Sequence, residues 1–391
     1  MDRPDDALIP AGTAWLDDRA AQRVCAAVAA GDHRVFFVGG CVRDAILGRG
    51  GSDVDLATDA RPERVIELAE VAGLKCVPTG IDHGTVTVVA EGRGFEVTTF
   101  RRDVKTDGRR AVVAFTDDIA EDARRRDFTM NALYATPTGR VVDPLGGLPD
   151  LLARRVRFIE DADARIREDY LRTLRYFRFV AWYGDPQIGF DPDALDAIAR
   201  NLSGLETLSA ERIGTEVMKL LSAPDPVAAV AGMRATGGLA VLLPGADDRF
   251  LGPVVHLESG TGDADPVLRL AALGGEGVAD RLRLSRADVR TLEAMTESAG
   301  SAQGIAEIAY RHGPRIATAA AILRAAMAGT EMPAGTARAV ETGAQAVFPV
   351  RAADLMPALS GPALGETLRR IEQRWIESGF TLGRDDLLPD D

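Results

Sequence analysis

The chain has 391 residues, 46% of them apolar and 27% charged, which excludes a disordered chain and suggests roughly two to four compact units. No run of about 18 apolar residues occurs, and the N-terminal stretch MDRPDDALIP is acidic, so neither a membrane span nor a secretory leader is expected and the expected setting is cytoplasmic. The net charge of −13 argues against a uniformly basic nucleic-acid surface, yet residues 101–180 hold 17 Lys/Arg against 14 Asp/Glu, leaving the other 311 residues at −16.

In chain order, the apolar run VFFV at 35–38 reads as a strand that ends at Gly39-Gly40 and passes into a helix over VRDAILG. Asp53-Val54-Asp55-Leu56 reads as a second strand, followed by a helix between Pro62 and Gly73. TVTVVA at 85–90 and FEVTTF at 95–100 are joined by Glu91-Gly92-Arg93-Gly94 and predict a hairpin. The first ~135 residues thus read as a small domain of mixed strands and helices. From about residue 150 the pattern turns helical, first over 163–184 (DARIREDYLRTLRYFRFVAWYG), then over AERIGTEVMKLLSA and RIATAAAILRAAMAG. Breaks near Pro144–Pro149 and Pro224–Pro226 divide the chain into 1–148, 149–222 and 223–391. No repeat of fixed period is visible.

Side chains two apart on a strand share a face, so Asp53 and Asp55 are expected to present paired carboxylates. A divalent cation relieves their repulsion, and two cations about 3.5–4 Å apart are a usual device for in-line phosphoryl displacement. Solvated turns also hold many Asp-x-Asp pairs, so the pair gains meaning from its context. Gly39-Gly40 lets backbone N–H groups approach a triphosphate, and Arg43 follows at the helix start. The cysteines Cys25, Cys41 and Cys76 are 16 and 35 residues apart, and none of the four histidines is followed by aspartate. Neither a zinc pair nor a His-Asp metal site is expected, and any metal is expected mainly on carboxylates.

Further along, Arg124-Arg125-Arg126-Asp127-Phe128-Thr129-Met130-Asn131 sets a basic cluster beside Asp127 and Asn131 at helical spacing. Glu168-Asp169-Tyr170-Leu171-Arg172-Thr173-Leu174-Arg175-Tyr176-Phe177-Arg178 repeats charge every three residues, a drifting stripe along one helix side. Single pairs of this kind contribute only ~0.2–0.5 kcal/mol and are common on surfaces.

Together, Gly39-Gly40-Cys41-Val42-Arg43-Asp44, the Asp53/Asp55 pair, Arg125-Arg126-Asp127 and the Glu168 to Arg175 string resemble the class II CCA-adding enzymes and bacterial poly(A) polymerases. The likeness covers residues 35–221, including SAERIGTEVMKL from Ser209. It implies an α+β fold: a polymerase-β-like nucleotidyltransferase head of mixed sheet and helices (1–148), followed by an all-α neck (149–222) and an all-α body and tail (223–391). It also implies two Mg²⁺ ions on Asp53 and Asp55, with Glu96 as the candidate third carboxylate. Gly40, Arg43, Arg126, Asp127 and Asn131 would bind the nucleotide, Asp127 at the ribose 2′-hydroxyl. Asp169 and Arg172 would form a protein template, with Arg175 and Arg178 at the triphosphate and nearby.

An acceptor carboxylate beside a donor guanidinium matches the amino group and ring nitrogen of cytosine and adenine. Uracil and guanine reverse both, leaving desolvated groups unpaired at about 1–3 kcal/mol each. The resemblance implies addition of C, C and A to a tRNA 3′ end from CTP and ATP, with the tail gripping the acceptor arm. No obligatory protein partner is expected. Residues 101–117, charged and glycine-containing, match the mobile loop tied to the switch from C to A. A poly(A) polymerase, a split-activity enzyme or an idle RNA-binding protein on the same fold are the alternatives.

Overall fold

The computed structural model describes residues 7–388 other than Ser52, 108–109, Thr261, Asp263 and Pro357, and the side chains of 103–112 also lie outside the description. Helix α1 (Arg19–Ala29) leads into β1 (Val35–Val38), α2 (Gly40–Ile46), β2 (Asp55–Thr58), α3 (Pro62–Val71), β3 (Lys75–Gly80), β4 (Thr85–Ala90) and β5 (Arg93–Thr99). The strands β6 (Arg101–Asp107) and β7 (Arg110–Phe115) pair with each other as a separate two-stranded sheet. After α4 (Ile119–Arg124) come β8 (Tyr134–Ala135) and β9 (Val141–Val142). The main sheet has the order β3-β4-β5-β2-β1-β8-β9. Within it β2 and β5 run parallel and the other neighbours antiparallel.

Local chemistry explains these elements. The Asp18 carboxylate accepts from the N–H groups of Ala20 and Ala21 and caps α1. Pro62 opens α3, where its missing N–H costs nothing. Glu91 and Gly92, at φ 50° and 77°, make the two-residue turn between β4 and β5, shorter than the expected four-residue connection. Alternation then divides the hairpin. Val86, Val88, Phe95 and Val97 are buried, while Thr85, Thr87, Glu96 and Thr98 occupy the other face and stay partly or fully open.

Four local expectations need correction. The strand β2 starts at Asp55, so Asp53 precedes it rather than sharing it. The stretch 163–184 is two helices, α6 (Ala162–Glu168) and α7 (Leu171–Tyr183), because Asp169 is extended at φ −153°. Around Asp127 no α-helix forms, since α4 ends at Arg124 and only a 3-10 turn over Thr129–Asn131 follows. Residues 101–117, expected as a loop, contain the β6–β7 hairpin, and 108–109 lie outside the described residues.

The chain divides into two compact units, the chain up to Glu216 with Ala228–Leu242, and Val217–Val227 with the chain from Leu243 onward. The first unit holds the sheet, the helices α5 (Leu148–Leu152), α6, α7 and α8 (Pro192–Arg200), and most of α9 (Ala210–Leu221). In it Phe128, Phe158, Tyr176 and Phe179 form an aromatic cluster joining the 3-10 turn to α7. The second unit is built on helix Pro314–Ala328, which buries Ala317, Ala320 and Ile322 among Val254, Leu268, Met295 and Ile308. Among the described residues no helix is long and apolar enough to cross a membrane.

Candidate active site

Parallel pairing sets Asp55 opposite Glu96 and Ala57 opposite Thr98. The two carboxylates therefore leave the sheet from neighbouring strands, about 4.8 Å apart at the backbone, on one face. Asp53, Asp55 and Glu96 are exposed. Even so, packing around its carboxyl group, then the charge of Glu96 and that of Asp53, push Asp55 up to about 6, with Arg126 pulling the other way. An all-oxygen anionic set that destabilises its own charge fits a hard divalent cation. Among the described residues no closed cage of three carboxylate, imidazole or thiolate groups forms. Magnesium does not require one, since it takes one or two carboxylates and completes its shell with water and phosphate.

Beside this carboxylate pair lies the glycine turn. Gly39 has φ 72°, while Gly40 is the first residue of α2. A Cβ at Gly39 would stand 3.2 Å from Arg126 Nη1, so the guanidinium rests against the turn. Its Nε is buried with no hydrogen-bond partner, a donor that a phosphate oxygen would satisfy.

The residues 124–127 tie the sheet to the helices. Asp122 accepts from Arg125 Nε at 2.8 Å, Arg126 Nη2 at 3.3 Å and the Tyr134 hydroxyl at 2.7 Å. Burial alone would raise this carboxyl group, but Arg125, Arg126 and Tyr134 hold it down to about 2. A depressed carboxyl stabilises the fold above its unfolded value of 3.8 and loses that contribution as pH falls through about 2. Asp122→Asn is expected to cost about 2 kcal/mol at pH 7. The difference from the parent should shrink progressively in urea titrations taken from pH 4 down to pH 2.

Asp127 is buried and fully engaged. Its Oδ1 accepts from Phe128 N and Asn131 Nδ2, both at 2.9 Å, and its Oδ2 from Arg175 Nε at 2.7 Å and Nη2 at 2.5 Å. Burial is again outweighed, here by Arg175 and then Asn131, and the carboxyl lies below its ordinary value. Asn131 Oδ1 in turn accepts from Arg43 Nη1 at 2.6 Å. Arg43, expected at the phosphates, is instead buried against Asp44, Asn131 and the Tyr183 hydroxyl, with its guanidinium 4.0 Å from the Tyr183 ring centroid. Four of its five N–H donors are taken by these partners, so it braces α2 against α7.

The expected template residues come from different elements. Asp169 Oδ1 accepts from Leu171 N at 3.1 Å, and Oδ2 from Arg212 Nη2 at 2.7 Å. Arg172 Nη1 donates to Glu168 Oε2 at 2.6 Å and to the Arg165 carbonyl at 3.1 Å, and its Nη2 to the Arg125 carbonyl at 3.0 Å. Its Nε and one Nη2 hydrogen are left over. Arg178 lies further along α7, where its Nε donates to Glu216 at 2.6 Å.

The structure thus brings together Asp55, Glu96 and Arg126, and separately links Arg43, Asn131, Asp127 and Arg175. Arg178 belongs to neither set. Sequence reasoning assigned no role to Asp122, Glu168, Arg212 or Tyr183. The first two were visible as i,i+3 and i,i+4 partners of arginines, whereas Arg212 and Tyr183 reach across the fold and leave no local signal.

This geometry belongs to a polymerase-β-like nucleotidyltransferase head on a mixed sheet, continued by helices. Residues 35–157 match the poly A polymerase head domain, and 189–250 the probable RNA and SrmB-binding site of polymerase A. Both matched domains liken the chain, over these two segments, to the family of CCA-adding enzymes and poly(A) polymerases. It is 44% identical over 191 residues to the mitochondrial CCA tRNA nucleotidyltransferase 1 of Homo sapiens, covering 49% of this chain and 44% of that protein. Against the CCA-adding enzyme of Geobacillus thermodenitrificans it is 42% identical over 217 residues, 54% of this chain and 51% of the relative. The chain spans about half the length of these curated relatives. The solved CCA-adding enzyme of Bacillus stearothermophilus in complex with CTP matches with a TM-score of 0.72 at 28% identity, covering 92% of this chain and 93% of that one. Members of the family generally use divalent metal ions.

Proposed function

We propose that this protein is a CCA tRNA nucleotidyltransferase that adds C, C and A to the tRNA 3′ end from CTP and ATP without a nucleic-acid template. The observation that carries this is Asp55 in register with Glu96, beside Arg126 and its unpaired Nε. Relatives and a solved neighbour bearing the CCA-adding name support the choice within the family. The paired strands across 101–115 support the full reaction over the split ones, since the segment is not cut short.

Asp53 and Asp55, with Glu96 adjoining, are the residues that would hold two Mg²⁺ ions. When bound, these ions would supply neutralisation of the triphosphate and acidification of the attacking hydroxyl. The tRNA 3′ oxygen attacks the α-phosphorus of CTP or ATP, the new O–P bond forms, and the bond to the β-phosphate oxygen breaks to release pyrophosphate. Arg126 donates to the phosphates and the turn at Gly39 gives them close backbone approach. Asp127, whose oxygens are taken by Phe128 N, Asn131 and Arg175, would meet the ribose 2′-hydroxyl only by exchanging one of these partners, and Asp169 and Arg172 read the base edge. Residues 1–148 serve as catalytic head, 149–222 as base-reading neck and 223–391 as the RNA-gripping body and tail, in a cytoplasmic setting.

The test is incubation of the protein with magnesium, tRNA lacking its terminal CCA, and NTPs singly or as CTP plus ATP. Addition of three nucleotides and a stop is the expected result. Adenine ladders would reassign it as a poly(A) polymerase, and no product would leave an RNA-binding role.

A further inference from the structure

Base selection by a guanidinium requires that it not move. Arginine has four flexible torsions and about 2 kcal/mol of rotamer entropy. If Arg172 could swing, it would donate to the uracil carbonyl as readily as to the cytosine ring nitrogen, and the penalty on the wrong base would vanish. Whatever locks Arg172 therefore sets selectivity.

The lock is built around Arg165, seven residues upstream in α6. Its carbonyl accepts from Arg172 Nη1 at 3.1 Å. Its guanidinium pairs with Glu168 Oε1, while the other oxygen of Glu168 accepts from Arg172 Nη1 at 2.6 Å. Glu168 is thus clamped between two arginines, which fixes the carboxylate that holds Arg172. The two guanidiniums also grasp successive carbonyls at the end of α4, Arg165 at Arg124 (2.9 Å) and Arg172 at Arg125 (3.0 Å). Cations at a helix C-terminus satisfy carbonyls that have no partner inside the helix. The side chains of Arg165, Glu168 and Arg172 are 16%, 24% and 12% exposed, so the cluster is largely shielded from water.

We infer that Arg165 is a specificity-determining positioning residue: it holds Arg172 in the one orientation that accepts cytosine and adenine and refuses uracil and guanine. This rests on the reading of Arg172 as part of the base template. Arg165 itself does not touch the nucleotide.

The experiment compares Arg165→Ala, Arg165→Lys, Glu168→Gln and Arg172→Ala with the parent. It measures kcat/KM for CTP and UTP on tRNA lacking CCA and for ATP and GTP on tRNA ending in CC, with Tm taken alongside. Arg165→Ala should relax CTP-over-UTP discrimination by roughly tenfold or more. Arg165→Lys, which keeps the charge, should recover part of it. Should Arg165→Ala fail to fold, Glu168→Gln carries the test, because it weakens the same clamp from its centre and should relax selectivity likewise. Discrimination within twofold of the parent in these variants, while Arg172→Ala loses it, overturns the role of Arg165 and leaves base reading intact. If Arg172→Ala also retains discrimination, the template reading falls and the inference with it.

Discussion

Asp55→Asn should lower kcat for nucleotide addition by roughly a thousandfold, a barrier increase of about 4 kcal/mol, with KM for tRNA little changed. The substitution keeps the shape of the side chain and removes the charge that adjoins Glu96 in register. A decrease of less than tenfold in single-turnover assays would place the chemistry elsewhere. The same variant has an opposite effect on the cation-free protein. Asp55 is pushed up to about 6, chiefly by packing around it and then by Glu96, so the folded state binds more protons than the unfolded one between about pH 4 and 6. This contribution to stability is complete below pH 4 and lost as pH rises through 6. Asp55→Asn should therefore melt at a higher temperature than the parent at pH 8 in EDTA and equal it at pH 4, and Mg²⁺ should narrow the gap at pH 8. A lower Tm at pH 8 would contradict the assignment of a strained anionic edge.

The largest expected effect on stability lies in the C-terminal unit. Arg269, in helix Pro266–Leu273, donates from Nε to Glu258 at 2.7 Å and from Nη1 to the carbonyls of Leu221, at 2.7 Å, and Ala223. Both charged side chains are only 3% exposed. Glu258 also accepts from Asp265 N at 2.5 Å, so the pair ties the end of α9 to two later helices. Removing one member of a buried pair leaves the other desolvated without its counter-charge, whereas removing both often costs little. Arg269→Met should cost about 3–5 kcal/mol and lower Tm by roughly 10 °C. Arg269→Met with Glu258→Leu should regain much of that loss. Urea denaturation decides the point, and a single-variant loss under 1 kcal/mol would show that the carbonyls find other donors.

What was legible in the sequence follows from range. The strand at 35–38, the helix from Pro62 and the β4–β5 hairpin rest on periodicity and turn chemistry within a few residues, and they appear where those signals lie. Glu96 could be named because alternation sets its face, but its neighbour across the sheet, Asp55, comes from parallel pairing 41 residues away. The single long helix expected over 163–184 fails at Asp169: both halves have helical periodicity, and the extended residue between them is held by Arg212, a partner 43 residues downstream. Arg43 shows the same limit. Its place after a glycine turn suggests phosphate binding, yet the adjacent Asp44 takes two of its donors, and Asn131 in the 3-10 turn and Tyr183 in α7 take two more. Local sequence predicts which groups are present, and the fold decides which remain open to a ligand.

Gly39 sets a condition on how this site can vary. Its φ of 72° is one that L side chains rarely adopt, and the place of a Cβ is 3.2 Å from Arg126 Nη1. Adding one methyl group there would both strain the main chain and displace a cation. The choice of side chain at this position narrows to glycine, and an uncharged Gly39→Ala change would shift the guanidinium of Arg126, 87 residues away, by a few tenths of an ångström.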